Sequence, residues 1–135
     1  MKVESFFVIA VLLCLTSIAC TSDTGTASYY SEHYTPSACF GFADKGTDIA
    51  SVNDDLWDDS QACGRRYQII CNTLVINEGG TNSCYQVREG ELFKVVTVVD
   101  HCGDCNGTTM NLSKQVFQYM APLDAVNIPI SYERI

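Results

Sequence analysis

Short runs in which apolar and polar residues alternate, broken by Gly, Pro and Asn turns, fill the chain after about residue 24. The clearest is Leu92-Phe93-Lys94-Val95-Val96-Thr97-Val98-Val99-Asp100, rich in β-branched residues that are stiff at χ1 and suit a pleated surface. Side chains alternate faces along a strand, so Leu92, Val96, Val98 and Asp100 fall on one side and Phe93, Val95, Thr97 and Val99 on the other. Both sides are mainly apolar, which predicts a central strand inside a barrel or sandwich. Such a strand delivers Asp100 to the rim, directly ahead of a turn bounded by Cys102 and Cys105, and makes Asp100 the first candidate for chemistry.

The other runs are shorter. Residues 25–30, 48–52 and 66–71 each predict a strand, the third following a return at Cys63-Gly64. Asn53 is placed to cap a single helical turn ending at Trp57, and Gly79-Gly80-Thr81-Asn82 predicts a surface turn. After the central strand, residues 109–112 lead into Ser113, a helix cap across which Leu112 and Phe117 form a hydrophobic staple. Val116 and Met120 extend that apolar face, and Pro122 ends the helix. Residues 126–135 alternate again and predict a last strand, in which Pro129, lacking an N–H, belongs at an edge or a bulge. Several short strands with one late helix imply a mainly β barrel rather than an α/β sheet.

Composition narrows the setting. Lys2, the apolar run 6–15 and the small residues Ser17 and Ala19 read as a secretory leader, too short for a spanning helix. Cleavage is expected between Cys20 and Asp23, giving a leader over 1–22 and one domain over 23–135 with room for a single core. Cleavage after Ala19 would leave Cys20 as an odd seventh cysteine; lipid attachment at Cys20 is a further alternative, disfavoured by Ser17. The remaining six, Cys39, Cys63, Cys71, Cys84, Cys102 and Cys105, are even in number in an exported chain and predict three disulfides, with fifteen connectivities open.

A zinc site at His101, Cys102 and Cys105 lacks a second ligand pair, and no helix start follows Cys102-Gly103-Asp104-Cys105 as a redox motif requires. The acids Asp54, Asp55, Asp58 and Asp59 around Trp57 lack the alternation and glycine of a calcium loop. No metal and no cofactor is therefore expected. The formal charge of −8 and pI of about 4.4, with Arg65-Arg66 the only basic pair, disfavour nucleic acid and anionic membrane as partners.

Three segments carry a resemblance: Ala27-Ser28-Tyr29-Tyr30 with Ser37-Ala38-Cys39-Phe40-Gly41-Phe42; Ala62-Cys63-Gly64-Arg65-Arg66-Tyr67 running to Cys71; and Val98-Val99-Asp100-His101-Cys102 leading to Asn111-Leu112-Ser113 and Phe117. Together they resemble the plant natriuretic peptide and blight-associated protein family, small secreted relatives of the first domain of expansins and of barwin. The likeness covers about residues 25–135, with the order and spacing of all six cysteines. It implies a six-stranded double-psi β-barrel with one or two short helices, a monomer secreted to the plant cell-wall space, and a role in water and solute balance or stress rather than turnover. By analogy with the expansin first domain, Cys39 pairs with Cys63 and Cys71 with Cys84, leaving Cys102 with Cys105.

Glycoside hydrolysis needs two carboxylates flanking the scissile bond, roughly 5 to 9.5 Å apart. Asp100 qualifies as one, but where expansins and related hydrolases place the second aspartate this chain has Asn111, whose amide exchanges no useful proton at neutral pH. Supplying the acid from Asp104 or Asp48 needs a geometry the sequence does not support. What remains is a binding groove. The resemblance places Tyr30, Asp100 and Asn111 in it, with Tyr29 or Tyr67 to stack on a sugar face. Competing structural roles stand beside these: the tyrosines as core or cross-strand partners, Asp100 as the cap of the following turn, His101 as an exposed turn residue, Trp57 tucked into the core. Within residues 34–67, Trp57, Asp58, Arg65 and Arg66 are candidates for contact with a cell-surface receptor. Asn106-Gly107-Thr108 and Asn111-Leu112-Ser113 are glycosylation sequons. Two functions follow: an extracellular signalling or stress protein, or a non-hydrolytic binder of cell-wall polysaccharide.

Overall fold

The computed structural model describes residues 22–73, 83–85 and 92–135, so the expected leader and the turn predicted at 79–82 lie outside the described residues. Six strands, β1 (Asp23–Tyr30), β2 (Ile49–Asn53), β3 (Arg66–Cys71), β4 (Phe93–Gly103), β5 (Met110–Ser113) and β6 (Ile128–Arg134), close into a barrel in the order β1-β5-β2-β4-β3-β6. The pairs β1–β5 and β2–β4 are parallel and the other four antiparallel, which is the double-psi arrangement. Closure leaves no open sheet edge to template unwanted pairing.

Alternation fills the interior. Ala27, Ala50, Val52, Val96, Val98, Met110, Leu112, Ile128 and Ile130 are all fully buried in one core. The predicted helix, α2 (Lys114–Met120), starts where the Ser113 hydroxyl accepts from the Val116 N–H at 3.2 Å. Its Val116, Phe117 and Met120 enter the same core, with Phe117 4.9 Å from the Tyr29 ring. A one-turn helix, α1 (Asp54–Trp57), is capped by Asn53, whose Oδ1 accepts from the Leu56 N–H at 3.0 Å. Three disulfides, Cys39–Cys63, Cys71–Cys84 and Cys102–Cys105, carry the pairing that the resemblance implies.

The structure departs from the sequence pattern in four places. Against β2, β4 slips register twice: Ala50 lies opposite Val98 but Ser51 opposite Asp100, and Val52 opposite His101 but Asn53 opposite Gly103. Each slip is a bulge that inserts one residue and breaks the period of two. The first moves Asp100 off the face of Val96 and Val98 to the outer surface beside Ser51. The second carries the strand through His101, which is therefore a strand residue and not a turn residue. Third, Pro129 sits at neither an edge nor a bulge. It is the second residue of β6, where the β3–β6 ladder ends, so the missing donor falls beyond the last Cys71–Ile130 pair while its carbonyl still accepts from the Asn72 N–H at 2.8 Å. The last strand also begins later than expected, because a 3₁₀ turn at Leu123–Ala125 and Val126 at φ 66° precede it.

Phe117 joins helix to barrel, and truncating it opens a cavity that closed strands cannot collapse to fill. Phe117→Ala is expected to lower unfolding free energy by about 3–5 kcal/mol in urea melts; a loss under about 1 kcal/mol would show that the helix does not seal the core.

Candidate functional site

The outer faces of β1, β5, β2 and β4 carry a polar row set by strand register. Ser28 lies opposite Asn111, Asn111 opposite Ser51, and Ser51 opposite Asp100. Strand spacing puts the Asn111 and Asp100 backbones about 10 Å apart with Ser51 between them. Tyr30 follows Ser28 by two positions on β1 and shares its face. The fold thus brings Tyr30, Asp100 and Asn111 onto one face and adds Ser28 and the nearly buried Ser51, which the sequence alone did not single out. Their signal was present in the alternation of Ala27-Ser28-Tyr29-Tyr30 and Ala50-Ser51-Val52, but only register shows that they line up.

Asp100 is half-buried. Its Oδ1 accepts from the His101 N–H at 2.9 Å and the Ala38 N–H at 3.3 Å, so it fixes the chain locally, while Oδ2 has no hydrogen-bond partner among the described residues. The Tyr30 hydroxyl is buried and has no hydrogen-bond partner among the described residues. Burial pushes its pKa well up, and the charges of Asp100 and then Tyr34 add to the shift. Tyr34 packs edge-on against it at 5.0 Å, its own hydroxyl donating to Gln115 Oε1 at 2.9 Å and accepting from the Lys114 N–H at 3.2 Å.

Two tyrosines leave the groove. Tyr67 is 5% exposed in the barrel core, edge-on to Tyr132 at 5.9 Å, and Tyr29 turns inward onto Phe117. Each has the parity that faces the core. The substitute acids are engaged elsewhere: Asp48 pairs with Lys94 at 3.5 Å, and Asp104 Oδ1 accepts from the Asn106 N–H at 3.1 Å. Asn106 is exposed, whereas the sequon at Asn111 is half-buried and its Ser113 hydroxyl is fully buried, donating to the Thr47 carbonyl.

A second cluster forms on α1. Trp57, half-buried and packed against the core, stacks on His101 with ring centroids 4.7 Å apart and planes 6° from parallel. His101 Nε2 lies 2.6 Å from Asp54 Oδ1, and Arg65 donates to Asp58 Oδ2 at 2.9 Å, a bond that raises the guanidinium pKa further. Arg66 is an exposed β3 residue opposite Thr97. Among the described residues, no three of His, Cys, Asp and Glu gather into a metal-holding group.

A family model described as lytic transglycolase matches residues 49–132. An EG45-like domain containing protein of Citrus jambhiri is 32% identical over 122 residues, covering 90% of this chain and 88% of that one. EG45-like domain containing protein 2 of Arabidopsis thaliana is 38% identical over 112 residues, 82% and 79% of the two chains. Among solved structures, a Clavibacter michiganensis expansin mutant in complex with cellohexaose superposes with a TM-score of 0.61 at 23% identity, over 85% of this chain and 50% of that one. A GH45 endoglucanase in complex with cellobiose gives 0.55 at 15% identity, over 84% and 81%. These two share the fold, and the chain spans half the length of the expansin. It belongs to the EG45-like domain proteins, in the expansin-like double-psi group to which the sequence resemblance points.

Because the Tyr30 hydroxyl is buried without a partner, removing it costs no hydrogen bond. Tyr30→Phe should leave the urea midpoint at pH 7 unchanged or slightly higher. A tyrosine whose folded pKa is raised keeps its full contribution below the unfolded pKa of about 10 and loses it as pH rises above that. The wild type should thus lose stability from pH 10 upward, and Tyr30→Phe should flatten that slope, leaving the smaller share due to Tyr132, whose pKa burial also raises. A marked drop in midpoint at pH 7 would mean that the hydroxyl has a partner after all.

Proposed function

We propose that this EG45-like domain protein acts outside the cell as a non-hydrolytic binder of neutral cell-wall polysaccharide, a single domain over residues 23–135 freed from a leader over 1–22. The observation that carries this is the in-register row Ser28–Asn111–Ser51–Asp100, with the unpartnered Tyr30 hydroxyl on the same face. Asp100 Oδ2 accepts from sugar hydroxyls and the Asn111 amide donates and accepts, while the buried Tyr30 hydroxyl lies behind them on the same face. A hydroxyl bonded by an ionised carboxylate is held more tightly than by a neutral acceptor, which makes Asp100 the anchor. The expansin complex with cellohexaose supports the ligand class. Binding without turnover rests on Asn111: with an amide in place of the second carboxylate, neither retaining nor inverting hydrolysis has its acid–base pair.

A second reading, signalling through a cell-surface receptor to adjust water and solute balance, is favoured by the Trp57–His101 stack and the Arg65–Asp58 pair. These hold an aromatic and charged surface in one shape on the exposed α1 side.

Calorimetry with cellohexaose should show saturable heat, weakened roughly 10- to 100-fold in Asp100→Ala through loss of a charge-assisted bond. No reducing sugar should be released from cellulose or xylan. Silence in the wild type ends the binding reading, and release of reducing ends that survives Asp100→Asn ends the argument from paired carboxylates. Applied to plant protoplasts, the full-length protein separates the two readings: swelling lost in Trp57→Ala and kept in Asp100→Ala would favour the receptor.

A further inference from the structure

The polar row and the α1 cluster leave one sequence motif without a use, the acceptor tripeptide Asn106-Gly107-Thr108, which lies just ahead of the second one at Asn111-Leu112-Ser113. Asn106 stands in the turn between the end of β4 at Gly103 and the start of β5 at Met110, outside the barrel ladders. Short-range contacts hold that turn. Asp104 accepts from the Asn106 N–H through Oδ1 at 3.1 Å and from the Gly107 N–H through its carbonyl at 2.8 Å, while the Cys105 carbonyl accepts from the Thr108 hydroxyl at 2.9 Å. The Cys102–Cys105 disulfide closes its first half. None of these contacts uses the Asn106 side chain, which is exposed.

The backbone of the turn suits a bulky substituent on this side chain. Asn106 holds a left-handed conformation with φ 55°, which asparagine adopts more readily than most residues that carry a Cβ. Gly103 and Gly107 flank it, and a Cβ built on either would meet no heavy atom within 4 Å. Open solvent therefore borders the acceptor on both sides.

The second tripeptide is taken up by the fold. Asn111 is half-buried in β5, paired on one side with Ser28 of β1 and on the other with the nearly buried Ser51 of β2. Its partner hydroxyl, on the fully buried Ser113, donates to the Thr47 carbonyl and accepts from the Val116 N–H at 3.2 Å, where it caps α2. Once the barrel closes, neither group is within reach of an enzyme. Asn106 also leaves the translocation channel first, and an oligosaccharide attached there crowds out transfer to an acceptor a few residues away.

We infer that Asn106 is the N-glycosylation site of this protein and that Asn111 stays unmodified, free to serve the polar row. The donor is an oligosaccharide carried on a lipid diphosphate. The Asn106 Nδ2 forms a bond to C1 of its first sugar, the C1–O bond to the diphosphate breaks, the lipid diphosphate leaves, and an amide proton passes to a base of the transferase. The inference rests on the extracellular reading above, because that donor is met only on the secretory route.

The test is to express the full chain with its leader in plant cells, recover it from the medium, and measure its mass before and after a glycoamidase active on plant glycans, in heavy-oxygen water. The wild type should lose one glycan, and the labelled aspartate that release creates should appear at position 106 and not at 111. Asn106→Asp, which keeps a residue tolerant of the left-handed backbone, should abolish the mass shift. Thr108→Ala should abolish it too, Thr108→Ser should keep it, and Asn111→Gln should still carry one glycan. Secreted wild type without a glycan at Asn106, or with one at Asn111, overturns the inference and leaves the extracellular reading standing. Wild type that remains in the cytosol with its leader uncleaved overturns both.

Discussion

Most of the site hangs on one extra residue in β4. The bulge between Val98 and Asp100 leaves two successive carbonyls to hold two different segments: Val98 accepts from the Gly64 N–H at 2.9 Å and Val99 from the Cys39 N–H at 3.0 Å. The Cys39–Cys63 disulfide then ties together the two segments that these carbonyls hold. The same step turns Asp100 away from Val96 and Val98. Without it, strict alternation would aim a carboxylate into an apolar barrel, where a lone charge costs many kcal/mol or gives up its ionised state. The anchoring of the 31–48 segment and the outward position of Asp100 thus both trace to a single local insertion.

What could be read in the chain, and what could not, divides along the range of the forces involved. Strand positions, the Asn53 and Ser113 caps and the Phe117 staple depend on neighbours within a few residues, and the pattern of side chains displays them directly. The bulge does not show, because Val98-Val99-Asp100 reads equally well with or without a slip. The tyrosines show why that matters. Tyr29 and Tyr30 are adjacent and identical, yet one packs on Phe117 and the other carries a buried hydroxyl on the outer face. Only the register of β1 against β5 separates them. Tyr67 looked equally suited to a sugar and went to the core for the same reason. His101 was misplaced because its meaning comes from Trp57 and Asp54, some fifty residues away and brought close by the parallel β2–β4 pairing.

The groove also makes sense of its least expected member. An aspartate at position 111 would face Ser51 and stand one strand from Asp100, two like charges on a half-buried surface that would raise each other's pKa. Asn111 removes that repulsion and keeps hydrogen-bonding capacity in both directions. The row then holds one carboxylate, one amide and the Ser28 hydroxyl, with Ser51 nearly buried between them.

One register has a mechanical meaning. Asp23, at the start of β1, lies opposite Tyr132, near the end of β6, in an antiparallel ladder that runs on to Ala27 and Ile128. The start of β1 and the end of β6 therefore lie at the same corner of the barrel. Tension applied between them would unzip that ladder one rung at a time instead of shearing it as a block, the weaker of the two loading geometries. Load entering through the outer face at Asp100 would instead meet strands tied side by side in the order β1-β5-β2-β4, a stiffer path than the β1–β6 ladder pulled from its open end.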